Sequence, residues 1–398
     1  MLRGVRIAAL ATLWLAPLLI LVSASTSSSG WISTWSTFGV PSMTPRFLDL
    51  SSIPTAVETL HAGRDPLVMN WADPYRRPMN YPRIWLYLFS AAGITRESVS
   101  IAAIVFCALY LACMSFLIMQ TKYAIDAAIL LLASLSVSPL FAMERGNNDL
   151  FIFSLVFLAC FATNKYAKSA LFGAAALLKI YPIVAMIIDG MRRPIKERIA
   201  AALPVLLVAT LIVLQWHDLL LIRHGTPVSR TMSYGALSLE SELLRDTTRW
   251  GFLAGLGWTI VMECWLIGAL AVRSAWENTV EPNIPVSNPK FAELFSIFGG
   301  IYAFTYAIGS NWDYRLIFLL PTLPFALDMV REARHRVWAI SYLVLVGIAE
   351  NSISMGLKWG TLSTHIATFG LFLLLLFMLT NQARNLYVSR STPDLVMA

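Results

Sequence analysis

The run SALFGAAALLKIYPIVAMIIDGMRRPIKER, residues 169–198, decides the fold. Residues 169–189 are long and apolar enough to cross a bilayer, whose hydrocarbon core takes about 20 helical residues. Yet Lys179 and Pro182 stand near the middle, one an expensive charge in lipid and the other a helix breaker. A single crossing would also send Arg192, Arg193, Lys196 and Arg198 to the outer face, against the cytoplasmic bias of basic residues. Two half-length helices meeting in a re-entrant hairpin over 169–190 remove both difficulties. The turn at Lys179, Ile180, Tyr181 and Pro182 then points toward the outer half, and the arginines return to the cytoplasm.

The rest of the chain extends this reading. Of 398 residues, 57% are hydrophobic and 13% charged, against roughly 25% charged in a soluble domain. The apolar runs do not alternate, so helices and not barrel strands satisfy the backbone in lipid. Spans are expected near 1–24, 100–119, 125–143, 149–163, 199–216, 251–272, 292–308, 315–330, 337–356 and 361–380. That makes an all-α polytopic protein, one integral domain over 1–398 in an inner (plasma) membrane, with ten spans plus the hairpin. Residues 1–24, with Arg3 and Arg6 ahead of an apolar run and Val22, Ser23 and Ala24 behind it, also fit a cleaved signal peptide. Either choice leaves the following segment outside.

Composition excludes several function classes. The net charge of +7 resides in short loops beside apolar runs, the pattern of membrane orientation and not of a nucleic-acid partner. Cys107, Cys113, Cys160 and Cys264 lie inside apolar runs without ligand-like spacing and read as core residues. No nucleotide-binding, zinc or Ser-His-Asp pattern is present, which argues against ATP-driven transport, and the outer location of the polar clusters argues against a nucleotide-sugar donor met in the cytoplasm. No cofactor is expected; the sequence leaves a divalent metal open.

The polar clusters gather on the outer side. A long first outer loop, 25–98, contains an interfacial helix at 85–93 and the stretch GRDPLVMNWADPYRRPMNYPR, residues 63–83. There Asp65, Asp73, Arg64, Arg76, Arg77 and Arg83 are spaced by four prolines that favour a stiff, turn-rich loop. Further outer groups are ERGNND at 144–149, the Lys179 turn, a second outer loop at 217–250 with Arg223, Arg230, Arg245 and Arg249, and GSNWDYR at 309–315. A loop carboxylate can take a proton from a hydroxyl, and arginines with a half-buried lysine can hold a phosphate. Plainer roles stand beside these. Asp49 can cap a helix beginning at Ser51 or Pro54. Asp65 and Asp73 precede prolines, as turn initiators do; Arg76 and Arg77 can anchor at headgroups; Asn311, Asp313 and Arg315 can form a local cap. Lys179 has no adjacent acid and needs a partner. Glu263, Glu350 with Asn351, and His365 read as hydrogen-bonding groups between helices.

Taken together, FLDL, HAGRDPL, NYPRIW, ERGNND, GAAALLKIYP and SNWDYRLIFLLP resemble the pattern of the GT-C glycosyltransferases. The branch they are most similar to is the polyprenol-phosphate-mannose-dependent mannosyltransferases, glycosyltransferase family 87. The resemblance implies a GT-C-like helical bundle, an essential acid in the first outer loop and a sugar donor on a polyprenyl phosphate. It implies that Asp49 is that acid and Lys179 the lysine of a Lys-x-x-Pro-like turn. Asn147 stands where the family has Gly-Gln-x-Asn, although here Gly146 is followed by Asn147 and Asn148. The family's Tyr-Pro-Pro is Tyr81, Pro82 and Arg83.

The expected function is transfer of a hexose, mannose first, from polyprenyl phosphate to a glycan or glycolipid hydroxyl on the outer face, with inversion. Asp49 would be the base. Lys179, Arg64, Asp65, Asp73, Arg76, Arg77, Tyr81, Arg145, Asn147, Asn148, Asn311, Asp313 and Arg315 would bind substrate and phosphate. A lipid-linked glycan polymerase or ligase, and a flippase, are the alternatives.

Overall fold

The apolar runs fold as helices, and the computed structural model describes residues 2–26, 28–227, 229, 232–243, 288–332, 335–355 and 357–391. The expected span at 251–272, with Glu263 and Cys264, lies outside the described residues, as do Arg230, Arg245 and Arg249. Six of the described helices are long and apolar enough to cross a membrane: Leu2–Ser25, Val99–Gln120, Lys196–Leu214, Pro289–Ile308, Arg336–Met355 and Gly360–Thr380. Helices Ala124–Ser134 and Val137–Arg145, bent by 44° at their junction, make up a seventh. The chain is an integral, multi-pass membrane protein.

Three expected spans take other forms. At 125–143 the helix breaks because Pro139 has no N–H to return to the carbonyl of Leu135, and the chain restarts at Val137. At 149–163 the helix Asp149–Phe161 has 13 residues, about 20 Å of rise against a hydrocarbon core of about 30 Å. At 315–330 the backbone runs as a 3₁₀ helix, Asp313–Thr322, before an α-helix, Leu323–Arg331. Pro321 and Pro324 flank that change and prevent one continuous ladder. The described residues thus hold six or seven crossings where the sequence reading expects nine in the same regions.

Pro289–Ile308 is the axis of the bundle. It buries Phe291, Leu294, Phe295, Phe298 and Tyr302 on one face and Ser296, Ile297, Gly299 and Gly300 on the others, so burial goes all round the helix, as an element enclosed on every side requires. Asn288 caps its first turn by accepting from Lys290 N, and Pro289 occupies the first turn, where no N–H is missed.

The run 169–198 forms two helices, Lys165–Leu178 and Ile183–Arg192, on either side of the Lys179 turn. They lie antiparallel. Lys168 near the start of the first reaches Asp189 near the end of the second at 2.6 Å, and Arg193 reaches Ser169 Oγ at 3.4 Å. Lys168 also pairs with Glu293 at 2.5 Å, which ties the open end of the hairpin to the axis helix. Arg331 pairs with Asp126 at 2.6 Å, and Arg6 donates to the carbonyl of Thr121. The closed end of the hairpin, with Lys179, lies at the other end of the axis helix. There the indole of Trp85, in the short helix Ile84–Ala91, donates to Leu178 O at 3.0 Å, satisfying a carbonyl that the helix terminus leaves open.

Candidate active site

Asp49 sits in the first turn of the helix Leu48–His61, where its charge suits the helix N-terminus. The residue before that helix, Phe47, is left-handed with φ 53°, as is Gly146 with φ 57° at the end of Val137–Arg145. The two backbones meet there. A Cβ on Gly146 would stand 3.0 Å from the Cβ atoms of both Phe47 and Ala103, so only glycine meets both the space and the conformation. This approach sets Asn147 beside Asp49, with Asn147 Nδ2 donating to Asp49 Oδ2 at 2.7 Å.

The other end of the Asn147 amide caps the next helix: its Oδ1 accepts from Asp149 N at 2.9 Å. Asp149, fully buried, then gathers groups from three parts of the chain. Lys179 Nζ lies 2.6 Å from its Oδ1, the Tyr181 hydroxyl donates to the same oxygen, and Arg315 Nε lies 3.3 Å from its Oδ2. Arg315 is steadied by donating to Asn311 Oδ1, while Asn311 Nδ2 donates to Thr305 O at 2.7 Å. Two cations on one carboxylate leave a net positive charge a single asparagine away from Asp49. Such a surplus inside a protein needs an anion or tolerates one.

A cavity of about 370 Å³ opens over Asp49, lined also by Ser52, Arg77, Asn80, Tyr81, Arg145, Trp312 and Tyr314. Tyr81 forms the wall toward Lys179, whose Nζ lies 5.4 Å from the ring centroid. Burial, reinforced by the charge of Asp49, keeps the Tyr81 hydroxyl protonated far above the ordinary phenol range. Arg145 is held between the ring of Phe141, 5.1 Å from its centroid, and Glu144, 3.1 Å away. Glu144 itself accepts from Trp31 Nε1, Ser42 Oγ and Met43 N. It fastens the start of the first loop to this helix end.

The loop 63–83 divides its charges. Asp73 caps the turn by accepting from Tyr75 N and holds Arg77 through two bonds, Nε to Oδ1 at 3.2 Å and Nη2 to Oδ2 at 2.8 Å. Arg77 thereby reaches the cavity and donates to Leu48 O at 3.3 Å. Burial disfavours its charge, but the Asp73 carboxylate outweighs that and strengthens its hold on the proton. Asp65 pairs with Arg83, which also grips Asp218 of the helix Trp216–Gly225, each at 2.8 Å. Burial alone would raise the Asp65 carboxyl; the Arg83 hydrogen bond and the N–H of Leu67 bring it below the ordinary range. Arg64 and Arg76 face away, against Trp71.

Of the residues singled out from sequence, Asp49, Arg77, Tyr81 and Arg145 line the cavity. Lys179, Asn147, Asn311 and Arg315 stand immediately behind it, joined through Asp149. Asn148 and Asp313 are buried without a side-chain hydrogen bond among the described residues, and neither lines the cavity. Asp65, Asp73, Arg64 and Arg76 shape or flank the loop. Sequence reasoning leaves out Asp149 and Tyr181. A signal for Asp149 is present, since Lys179 needs a counter-charge and Asp149 is a carboxylate opening an apolar run.

The helix Val137–Arg145 with its glycine cap, the short helix opened by Asp149 and the Lys179 hairpin form one contiguous part of the chain. The family model for glycosyltransferase family 87 matches residues 80–284, just over half of the chain. No curated protein and no solved structure gives a match. The matched region holds Tyr81, Arg145, Asn147, Asp149, Lys179 and Tyr181, while Asp49, Arg77 and Arg315 lie outside it, and by that match the chain belongs to glycosyltransferase family 87.

Proposed function

We propose that the protein moves a hexose, mannose first among candidates, from a polyprenyl-phosphate donor to an acceptor hydroxyl at the outer face of the membrane. The observation that carries this reading is the amide of Asn147, which joins a cavity-lining carboxylate to a carboxylate already holding two cations. Asp49 takes the proton of the acceptor hydroxyl as its oxygen bonds to the anomeric carbon. The bond from that carbon to the donor phosphate oxygen breaks, and the electron pair leaves with polyprenyl phosphate. Attack from the side opposite the phosphate inverts the anomeric centre. Arg77 and Arg145 at the cavity, with Lys179 behind Tyr81 and Arg315 against Tyr181, stabilise the departing negative charge in a site drier than bulk water.

The lipid part of such a donor has a place to lie. An apolar groove of about 520 Å³ runs along the hairpin, lined by Ala170, Gly173, Ala174, Leu177, Met186 and Leu207 among others. On this reading the hairpin is re-entrant, with its tip at the phosphate and its flank against the prenyl chain. The test is Asp49→Asn, which keeps the shape of the side chain and removes the base. Transfer should fall by about 10² to 10⁴ while the protein remains folded, the usual loss for a positioned general base; full activity in that variant would reassign the base.

A further inference from the structure

The tip of the loop 63–83 carries a feature that the transfer reaction does not use. Trp71 is 46% exposed, and the guanidinium carbons of Arg64 and Arg76 lie 4.8 and 5.4 Å from its ring centroid. Two cations stacked on one exposed indole make a stiff platform. Neither arginine forms an ion pair among the described residues, although Asp65 and Asp73 stand nearby; those carboxylates are engaged by Arg83 and Arg77. Arg76 has φ 52°, a left-handed conformation disfavoured for a residue with a side chain. Because of it, neighbouring arginines diverge, Arg77 inward to the cavity and Arg76 outward to Trp71. Val68, Met69 and Tyr75 are exposed around them.

The platform is pinned at a definite height. Arg96 donates to Ala72 O at 2.5 Å and pairs with Glu58 at 2.7 Å. Arg96 lies three residues before Val99–Gln120, a membrane-crossing helix. The residue next to Trp71 is therefore tied beside the N-terminal end of that apolar helix, the end at which its run meets an interface. This is the depth at which tryptophan and arginine settle, ring at the interface and cation at the phosphates.

We propose that Arg64, Trp71 and Arg76 dock the loop onto the phosphate headgroup of an anionic phospholipid in the leaflet nearest the cavity. Two cations that form no ion pair among the described residues select a lipid with net negative charge over a zwitterionic one, and the indole supplies the interfacial contact. The same short loop carries Arg77, Asn80 and Tyr81 on its other side, so the lipid contact holds one wall of the cavity against the membrane. This inference rests on the membrane placement alone and is independent of the transfer chemistry.

The test uses the full chain in nanodiscs of phosphatidylcholine alone or mixed with phosphatidylglycerol. Phenylglyoxal modification of Arg64 and Arg76 is read by peptide mass spectrometry. Both arginines should be protected in the phosphatidylglycerol discs and reactive in the others. In detergent, the double variant Arg64→Gln with Arg76→Gln should weaken binding of short-chain phosphatidylglycerol by roughly thirtyfold, the effect of two guanidiniums at an anionic surface. Equal reactivity in both bilayers would overturn the proposal, and the wild-type measurement stands even if the double variant fails to fold. Protection by inorganic phosphate as strong as by phosphatidylglycerol would also overturn it, in favour of a free-anion site.

Discussion

Asp149 and Lys179 stand 2.6 Å apart across 30 residues of chain, and the hairpin turn of one reaches the helix start of the other. Arg315 shares the same carboxylate from a third direction. The arrangement is asymmetric: Asp149 has two cationic partners, whereas Lys179 has one acid.

That asymmetry predicts unequal mutational effects. Asp149→Asn strands two buried cations and should cost roughly 3 to 5 kcal/mol, the usual penalty for breaking a buried pair from one side. Lys179→Met leaves Arg315 on the carboxylate and should cost clearly less. Thermal unfolding of both variants in the same detergent measures the difference; equal losses would show that Arg315 does not share the charge.

Gly146 sets the approach of Asp49 to Asn147. Gly146→Ala forces a Cβ to 3.0 Å from Phe47 and Ala103 at a positive φ, and should cost about 1 to 3 kcal/mol in stability. Because the strain falls beside the proposed base, kcat should drop by about 10², the scale of a misplacement near 1 Å. Steady-state kinetics at saturating donor separates this from a loss of binding.

Arg83 clasps Asp65 to Asp218 and so joins the first loop to the helix Trp216–Gly225, whose Gly225 lines the cavity. Arg83→Gln should raise KM more than it lowers kcat, with a stability loss of about 1 kcal/mol or less because the pair is partly exposed. The Asp65 carboxyl is held below its ordinary range, so the stability it contributes is present above the unfolded carboxylate pKa. It fades as pH falls through the lower folded value. Acid titration of unfolding in wild type and Arg83→Gln should show the two curves converging at low pH.

An outer-face site makes a topological prediction. Ala62→Cys, in the loop that flanks the cavity, should react in intact cells with a membrane-impermeant maleimide. Thr163→Cys, at the open end of the hairpin, should react only after the membrane is permeabilised. The reverse pattern would place the site on the cytoplasmic side.

Much of this site was legible residue by residue and little of it pair by pair. Lys179 and Pro182 declare themselves as a charge and a breaker in an apolar run, and the chain turns there. The need of Lys179 for a counter-charge is legible, and Asp149 opens an apolar run, but their pairing is not, because no periodicity links positions 30 apart. The broken helices at 125–143 and 315–330 had signals in Pro139, Pro321 and Pro324, which apolar run length outweighs when spans are counted. Arg76 and Arg77 look equivalent as letters. The left-handed backbone that separates them is set by the packing of the loop, and local propensity does not report it.

The proposed reaction takes its sugar from a polyprenyl phosphate and uses Asp49 as the base. Its most direct test is transfer of radiolabelled sugar from polyprenyl-phosphate mannose and polyprenyl-phosphate glucose in membranes containing wild type or Asp49→Asn at matched expression. Wild type should give labelled product from the mannose donor, and the variant should lose about 10² or more of that transfer. Folded wild-type protein that transfers from neither donor, or a variant as active as wild type, would contradict it.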